Sequence, residues 1–146
     1  MHYTVSVVRK RTGSIIYFAI LTAAELAFSQ APTPTVRAGA YTAAQATAGE
    51  TAYRADCASC HGADLEGRGQ TPPLVGNEFI AEWRDMSVGL LFEKIQSSMP
   101  ADKPGSLSQE RNAQILAFML KRNGFPAGPT PLSADADVLK KVQWGR

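Results

Sequence analysis

The sequence predicts an all-α fold, on three observations. Val88, Leu91, Phe92 and Ile95 recur at i, i+3, i+4 and i+7, one apolar stripe of a helix. The segment SQERNAQILAFMLKRN from Ser108 has Gln109 and Glu110 in its first turn, Lys121 and Arg122 in its last, and Gly124 just beyond. That polarity matches the helix dipole, and glycine is the usual residue after a helix C-terminus. No convincing run alternates apolar and polar residues, so nothing in the chain asks for a sheet.

In chain order, the first segment reads as a targeting sequence. Arg9, Lys10 and Arg11 precede the apolar run IIYFAILTAAELAF from Ile15 to Phe28, and Ser29-Gln30-Ala31 offers small residues at the −3 and −1 positions of a cleavage site. This is the pattern of a secretory signal peptide over residues 1–31. The alternative is an uncleaved membrane anchor, against which stand a run of 14 residues and the interruption at Glu25; a spanning helix needs about 20. Residues 32–46, rich in Pro, Ala, Thr and Gly, read as a flexible lead. Thr47-Ala48-Gly49-Glu50 fits a capping box for a helix over about Ala48–Ala58. Residues 62–76 hold four glycines and two prolines and predict an irregular loop. Asn77 is placed to cap a short helix ending near Arg84, and Ser87 to cap the striped helix, which stops at Pro100. After the turn-rich MPADKPGSLS comes the helix from Ser108, and then a C-terminal extension, residues 127–146, with a weaker helical pattern over Asp135–Val142.

A chain of 146 residues suits one folded domain. Its 15 basic and 13 acidic residues give a net charge of +2, but residues 1–31 carry three of the bases (Arg9, Lys10, Arg11) and one acid (Glu25), leaving 12 of each. No basic face remains to recognise nucleic acid.

Cys57 and Cys60 are the only cysteines, and CASCH places His61 directly after them. Four chemistries compete for the pattern. A structural disulfide suits an exported protein but leaves His61 without a purpose. A thioredoxin-like dithiol expects a βαβ setting, whereas these flanks are helical. Zinc finds three donors and wants four, and beyond residue 31 there is no second histidine or third cysteine to supply one. In the fourth, both thiols bond covalently to a haem and the histidine reaches the iron; C-x-x-C-H is the spacing of c-type haem attachment. The haem reading accounts for all three residues. The iron's second axial ligand follows by elimination, since His2 lies in the signal segment. Of Met86, Met99 and Met119, Met119 sits within a periodic helix as core filler and Met86 at a helix junction. Met99 ends a helix before a proline-rich loop, where a thioether is free to turn toward a flat cofactor; the bland alternative is packing alone.

In order, the stretches GETAYRADCASCHGADLEGRG, PPLVGNEF, a tryptophan, LFEKIQSSMP and LSQERNAQILAFMLKRNGFP resemble class I c-type cytochromes over about residues 47–126. They look closest to bacterial monohaem types similar to those associated with quinoprotein (PQQ-dependent) dehydrogenases. The resemblance implies a cytochrome c fold, about four to five helices packed around one covalently bound haem. It implies that Gly49 and Tyr53 cross the last helix near Ala117 and Phe118. Pro72 matches the proline whose carbonyl orients the haem-ligating histidine, with Pro73 as rival; Leu74 is expected on the haem face. Trp83 matches an indole at the haem edge, with core packing as its alternative. Two departures stand out: the family's last-helix aromatic is often Tyr and here is Phe118, and the lysine-rich docking face of some members is missing. The cofactor-binding set is thus Cys57, Cys60, His61, Met99, Pro72, Leu74 and Trp83, with His61 and Met99 on the iron.

Six ligands leave no open iron position, so the expected function is one-electron transfer in the periplasm, between a dehydrogenase and an oxidase or another cytochrome. The same chemistry serves a carrier permanently docked to its dehydrogenase. A peroxidase or gas sensor is the alternative if Met99 does not ligate, although no distal acid–base pair is present to serve it. A membrane partner arises only if the N-terminal segment stays uncleaved.

Overall fold

The computed structural model describes residues 33–145, so the expected signal peptide over 1–31 lies outside the described residues. Six α-helices follow a short 3-10 helix at Val36–Ala38: α1 Ala43–Asp56, α2 Ala58–His61, α3 Asn77–Trp83, α4 Val88–Ser98, α5 Gln109–Arg122 and α6 Ala136–Leu139. Among the described residues there is no named strand, only isolated bridges, so the all-α expectation holds with more helices than the four to five expected.

The first helix starts earlier than expected. Thr42, not Thr47, is its N-cap, accepting from the Gln45 N–H at 3.2 Å. The Thr47 hydroxyl instead donates to the Ala43 carbonyl at 3.0 Å, and Glu50 pairs with Arg54. Thr42-Ala43-Ala44-Gln45 has the same Thr-x-x-Gln/Glu form as the expected box, and the upstream copy prevails because it is tied into the fold. Tyr41 is 2% exposed and donates its hydroxyl to the Phe125 carbonyl, while Val36 is fully buried. The stretch 33–46, expected as a flexible lead, is therefore part of the packed domain.

The core forms around α1 and α5, the most extensive helix pair. Gly49 makes the close crossing: a Cβ there would overlap the Gln114 carbonyl of α5 and crowd the Phe118 side chain. One turn on, the Tyr53 ring tilts against Phe118 with centroids 5.4 Å apart. Ala117 and Phe118 are both buried. Gly49→Ala should destabilise the protein by about 1–3 kcal/mol, the usual cost of overpacking a tight contact. Chemical denaturation measures it, and a neutral result would mean the two backbones can separate freely.

The striped helix α4 is as expected, with Val88, Leu91, Phe92 and Ile95 all buried. Two caps differ. Gly76, with φ of 95°, precedes α3 in place of the Asn77 cap, and the Ser87 side chain makes no capping bond. The Ser87 backbone instead bridges to Gln143. In the C-terminal segment the helix spans only Ala136–Leu139, not Asp135–Val142. The segment is nevertheless well seated. Gln45 clamps it at both polar groups of Leu132, donating from Nε2 to the carbonyl at 2.9 Å and accepting its N–H at Oε1 at 2.7 Å. Gln143 exchanges backbone bonds with the stretch before α1, its N–H donating to Pro34 and its carbonyl accepting from Val36. Trp144 is 1% exposed against Phe79 and Phe125.

Candidate functional site

The chain breaks its helical run at Cys57, whose φ of −127° ends α1 and starts the single turn of α2. That corner turns the cysteines and His61 toward one cavity of about 780 Å³, within the usual range for a cofactor site. All seven residues singled out from the sequence line it: Cys57, Cys60, His61, Pro72, Leu74, Trp83 and Met99. Pro73 lines it too. Met86 does not, whereas Met119, read from the sequence as core filler, does.

His61 is buried at 8% exposure, and its Nδ1 lies 3.0 Å from the Pro72 carbonyl oxygen. A carbonyl can only accept, so Nδ1 carries a hydrogen, and in the neutral ring Nε2 is then the nitrogen with the lone pair. A histidine held in this way has its ring orientation fixed and its free nitrogen available for a metal.

A loop folded tightly back on itself places that carbonyl. The Gly67 N–H donates to the His61 carbonyl at 2.8 Å, Arg68 and Thr71 exchange backbone bonds, and the Leu74 N–H donates to Leu65 at 2.8 Å. Leu65 holds a φ of 65° while fully buried, a conformation uncommon for a side chain of its size. Gly67 is required: its φ is 75°, and a Cβ would overlap Thr71 and Pro72. Two further supports carried no signal in the sequence. The Asn123 amide donates to the Leu74 carbonyl at 3.0 Å and accepts from the Gly76 N–H at 3.0 Å, pinning the loop to the end of α5. The Tyr53 hydroxyl donates to the Gly62 carbonyl at 2.7 Å, and burial pushes its acidity far below that of an ordinary phenol. Tyr53→Phe leaves that carbonyl without its donor and should cost about 1–3 kcal/mol. Thermal melts of the protein check this, and an unchanged midpoint would show that water replaces the hydroxyl.

Much of the remaining wall is apolar. Phe79 of α3, Leu91 and Ile95 of α4, and Ile115 and Met119 of α5 face the cavity. Helical periodicity marked several of these as buried but could not tell a cavity wall from packed core. Charged groups line it as well: Asp56, Glu82, Lys94 and Asp102. Asp56 is ion-paired with Arg111, joining α1 to α5 beside Cys57.

The two thiols are free. Burial, and then the negative charge of Asp56, pushes the Cys57 thiol up to about 11. Among the described residues, no three histidine, cysteine or carboxylate side chains converge as a metal site of their own. A macrocycle carrying its own iron fits this donor set better: two thiols at the wall, one imidazole nitrogen free to ligate, two thioethers and an otherwise largely apolar enclosure. The site fits haem.

Comparison with known proteins agrees. Residues 44–119 match the family model described as "Cytochrome C oxidase, cbb3-type, subunit III". The chain is 38% identical over 63 residues to cytochrome c-554(547) of Halothiobacillus neapolitanus, a match covering 43% of this chain and 55% of that protein. The chain thus spans about half the length of the curated relative it matches. No solved structure matches. With more than half its length under the family model, the chain belongs to the cytochrome c family described as cytochrome c oxidase, cbb3-type, subunit III.

Proposed function

We propose that this chain is a periplasmic one-electron carrier with a single haem c, bound covalently through Cys57 and Cys60 and ligated by His61 and Met99. The observation that carries the reading is the convergence of these four residues on one cavity, with the His61 ring oriented by the Pro72 carbonyl. The haem, when bound, supplies an iron that alternates between ferrous and ferric states. The chain's own residues do the rest. Cys57 and Cys60 fix the macrocycle's place, His61 offers Nε2, and Met99 offers a thioether, which favours the reduced iron relative to a second imidazole. Phe79, Leu91, Ile95 and Ile115 exclude water, limiting solvent reorganisation during transfer.

The donor in this reading is a dehydrogenase, of the quinoprotein class if the sequence resemblance extends to partners. The acceptor is a terminal oxidase, for which the family's description speaks, or another cytochrome. Export rests on the pattern of residues 1–31. Among the described residues, no helix is long and apolar enough to cross a membrane.

Absorption spectra of the protein, exported by a host able to attach haem, test the proposal. Low-spin ferrous peaks and the weak long-wavelength ferric band of sulfur opposite histidine are expected. A high-spin spectrum that shifts with carbon monoxide would mean an open iron and favour a peroxidase or gas sensor. Export without any haem would sink the reading altogether.

A further inference from the structure

The loop from Pro100 to Leu107 leaves α4 at Met99 and reaches α5 at its cap, Ser108. Its backbone bonds are internal and short-range: the Lys103 N–H donates to Pro100 at 2.9 Å, and the Ser106 N–H to Lys103 at 3.2 Å. Among the described residues, one hydrogen bond ties this loop to a helix side chain. Gln96 Nε2 donates to the Leu107 carbonyl at 3.2 Å. Gln96 stands in the last turn of α4, three residues before Met99.

Gln96 is itself held. Its Oε1 accepts from Asn112 Nδ2 at 2.7 Å. Asn112 is completely buried in α5, on the helix face it shares with Ile115 and Met119, which line the cavity. Its own Oδ1 has no partner. A buried amide oxygen left unpaired costs about 1–3 kcal/mol, so apolar packing alone does not account for an asparagine here. Its contact with Gln96 does. By donating to Oε1, Asn112 fixes which way the Gln96 amide faces and directs Nε2 at Leu107; the reverse orientation would set two acceptors against each other.

We propose that Asn112 and Gln96 are positioning residues for the sulfur ligand. The paired amides close the loop that begins after Met99 and hold the thioether at the cavity wall. The inference rests on the reading that Met99 ligates the iron.

Imidazole competes for the iron position that the sulfur occupies, so its affinity for the full-length ferric holoprotein reports how firmly Met99 is held. Two variants probe the pair. Gln96→Met keeps the length of the side chain and removes both bonds. Asn112→Asp replaces the donor with an acceptor and turns the Gln96 amide away from Leu107. Both should retain the long-wavelength band without imidazole, and both should bind imidazole at least ten-fold more tightly than the parent. The double variant should go no further than either single change, because the amides act as one unit. Unchanged imidazole affinity overturns the proposal, whatever happens to thermal stability, since a purely structural pair would lower the melting point alone. If Asn112→Asp yields no haem protein, Gln96→Met decides. A parent that lacks the band, with a spectrum unchanged in Met99→Ala, overturns the ligation reading and this role together. A parent that shows the band with unmoved variants overturns only the role of the pair.

Discussion

Met99→Ala should abolish the weak long-wavelength band of the ferric protein, open one iron position to carbon monoxide and lower the reduction potential. The fall should be on the order of 0.1 V or more, since axial ligands set haem potentials over a range of about 0.8 V. Met99 is suited to the role by its backbone. It caps α4 in an extended conformation, with φ of −123° and ψ of 150°, so its side chain leaves the helix at the cavity wall. Met119 is the control, because it also lines the cavity but from the middle of α5. Met119 is 2% exposed among core residues, a setting in which methionine ordinarily fills space. Met119→Leu should keep the band and the potential nearly unchanged. The reverse pattern, with the band lost in Met119→Leu and kept in Met99→Ala, would transfer the ligand to α5.

Trp144→Ala should cost about 3–5 kcal/mol, as truncating a buried aromatic side chain does elsewhere. Trp144 packs edge-on to Phe79 and Phe125, with ring centroids 6.1 and 5.6 Å away, and Phe79 is a wall of the haem cavity. Its position is fixed by the neighbouring Gln143, whose backbone ties to Pro34 and Val36. The loss should therefore include loosening of the clasp between the two ends of the domain. Denaturant titration of the holoprotein measures the effect. Trp144→Phe should recover most of it, because the indole N–H has no hydrogen-bond partner to lose. A loss below about 1 kcal/mol for the alanine variant, far under the usual cost of truncating such a buried ring, would reduce the C-terminal segment to a dispensable cover.

The site was the most legible part of the chain because its chemistry is local. CASCH carries the spacing of c-type haem attachment in five consecutive residues, and Met99 stands out because a helix must end before Pro100. The stripe of α4 and the charge polarity of α5 likewise write their helices directly into the sequence. The expected cap of α1 failed for an equally local reason: Thr42 and Thr47 each begin a capping box, and short-range chemistry does not choose between them. The choice was made by distant contacts, with Tyr41 bonded to Phe125 and Gln45 clamping Leu132. The stretch before α1 has no period of its own and the segment after Pro126 only a weak helical one, so neither announced its place in the core.

By itself, then, the sequence determined the helical class, the adjacency of Cys57, Cys60 and His61 and the placing of Met99 at a helix end before a proline, all matters of neighbours along the chain. Only the tertiary structure decided what depends on residues far apart in sequence. It brought Pro72 to within 3.0 Å of His61, set Met119 beside the cavity and paired Asn112 with Gln96. It also buried Trp144 and Val36 to close the domain. The physical reason is that a side chain's hydrogen-bond partner and its burial are properties of the folded neighbourhood, which no local pattern encodes.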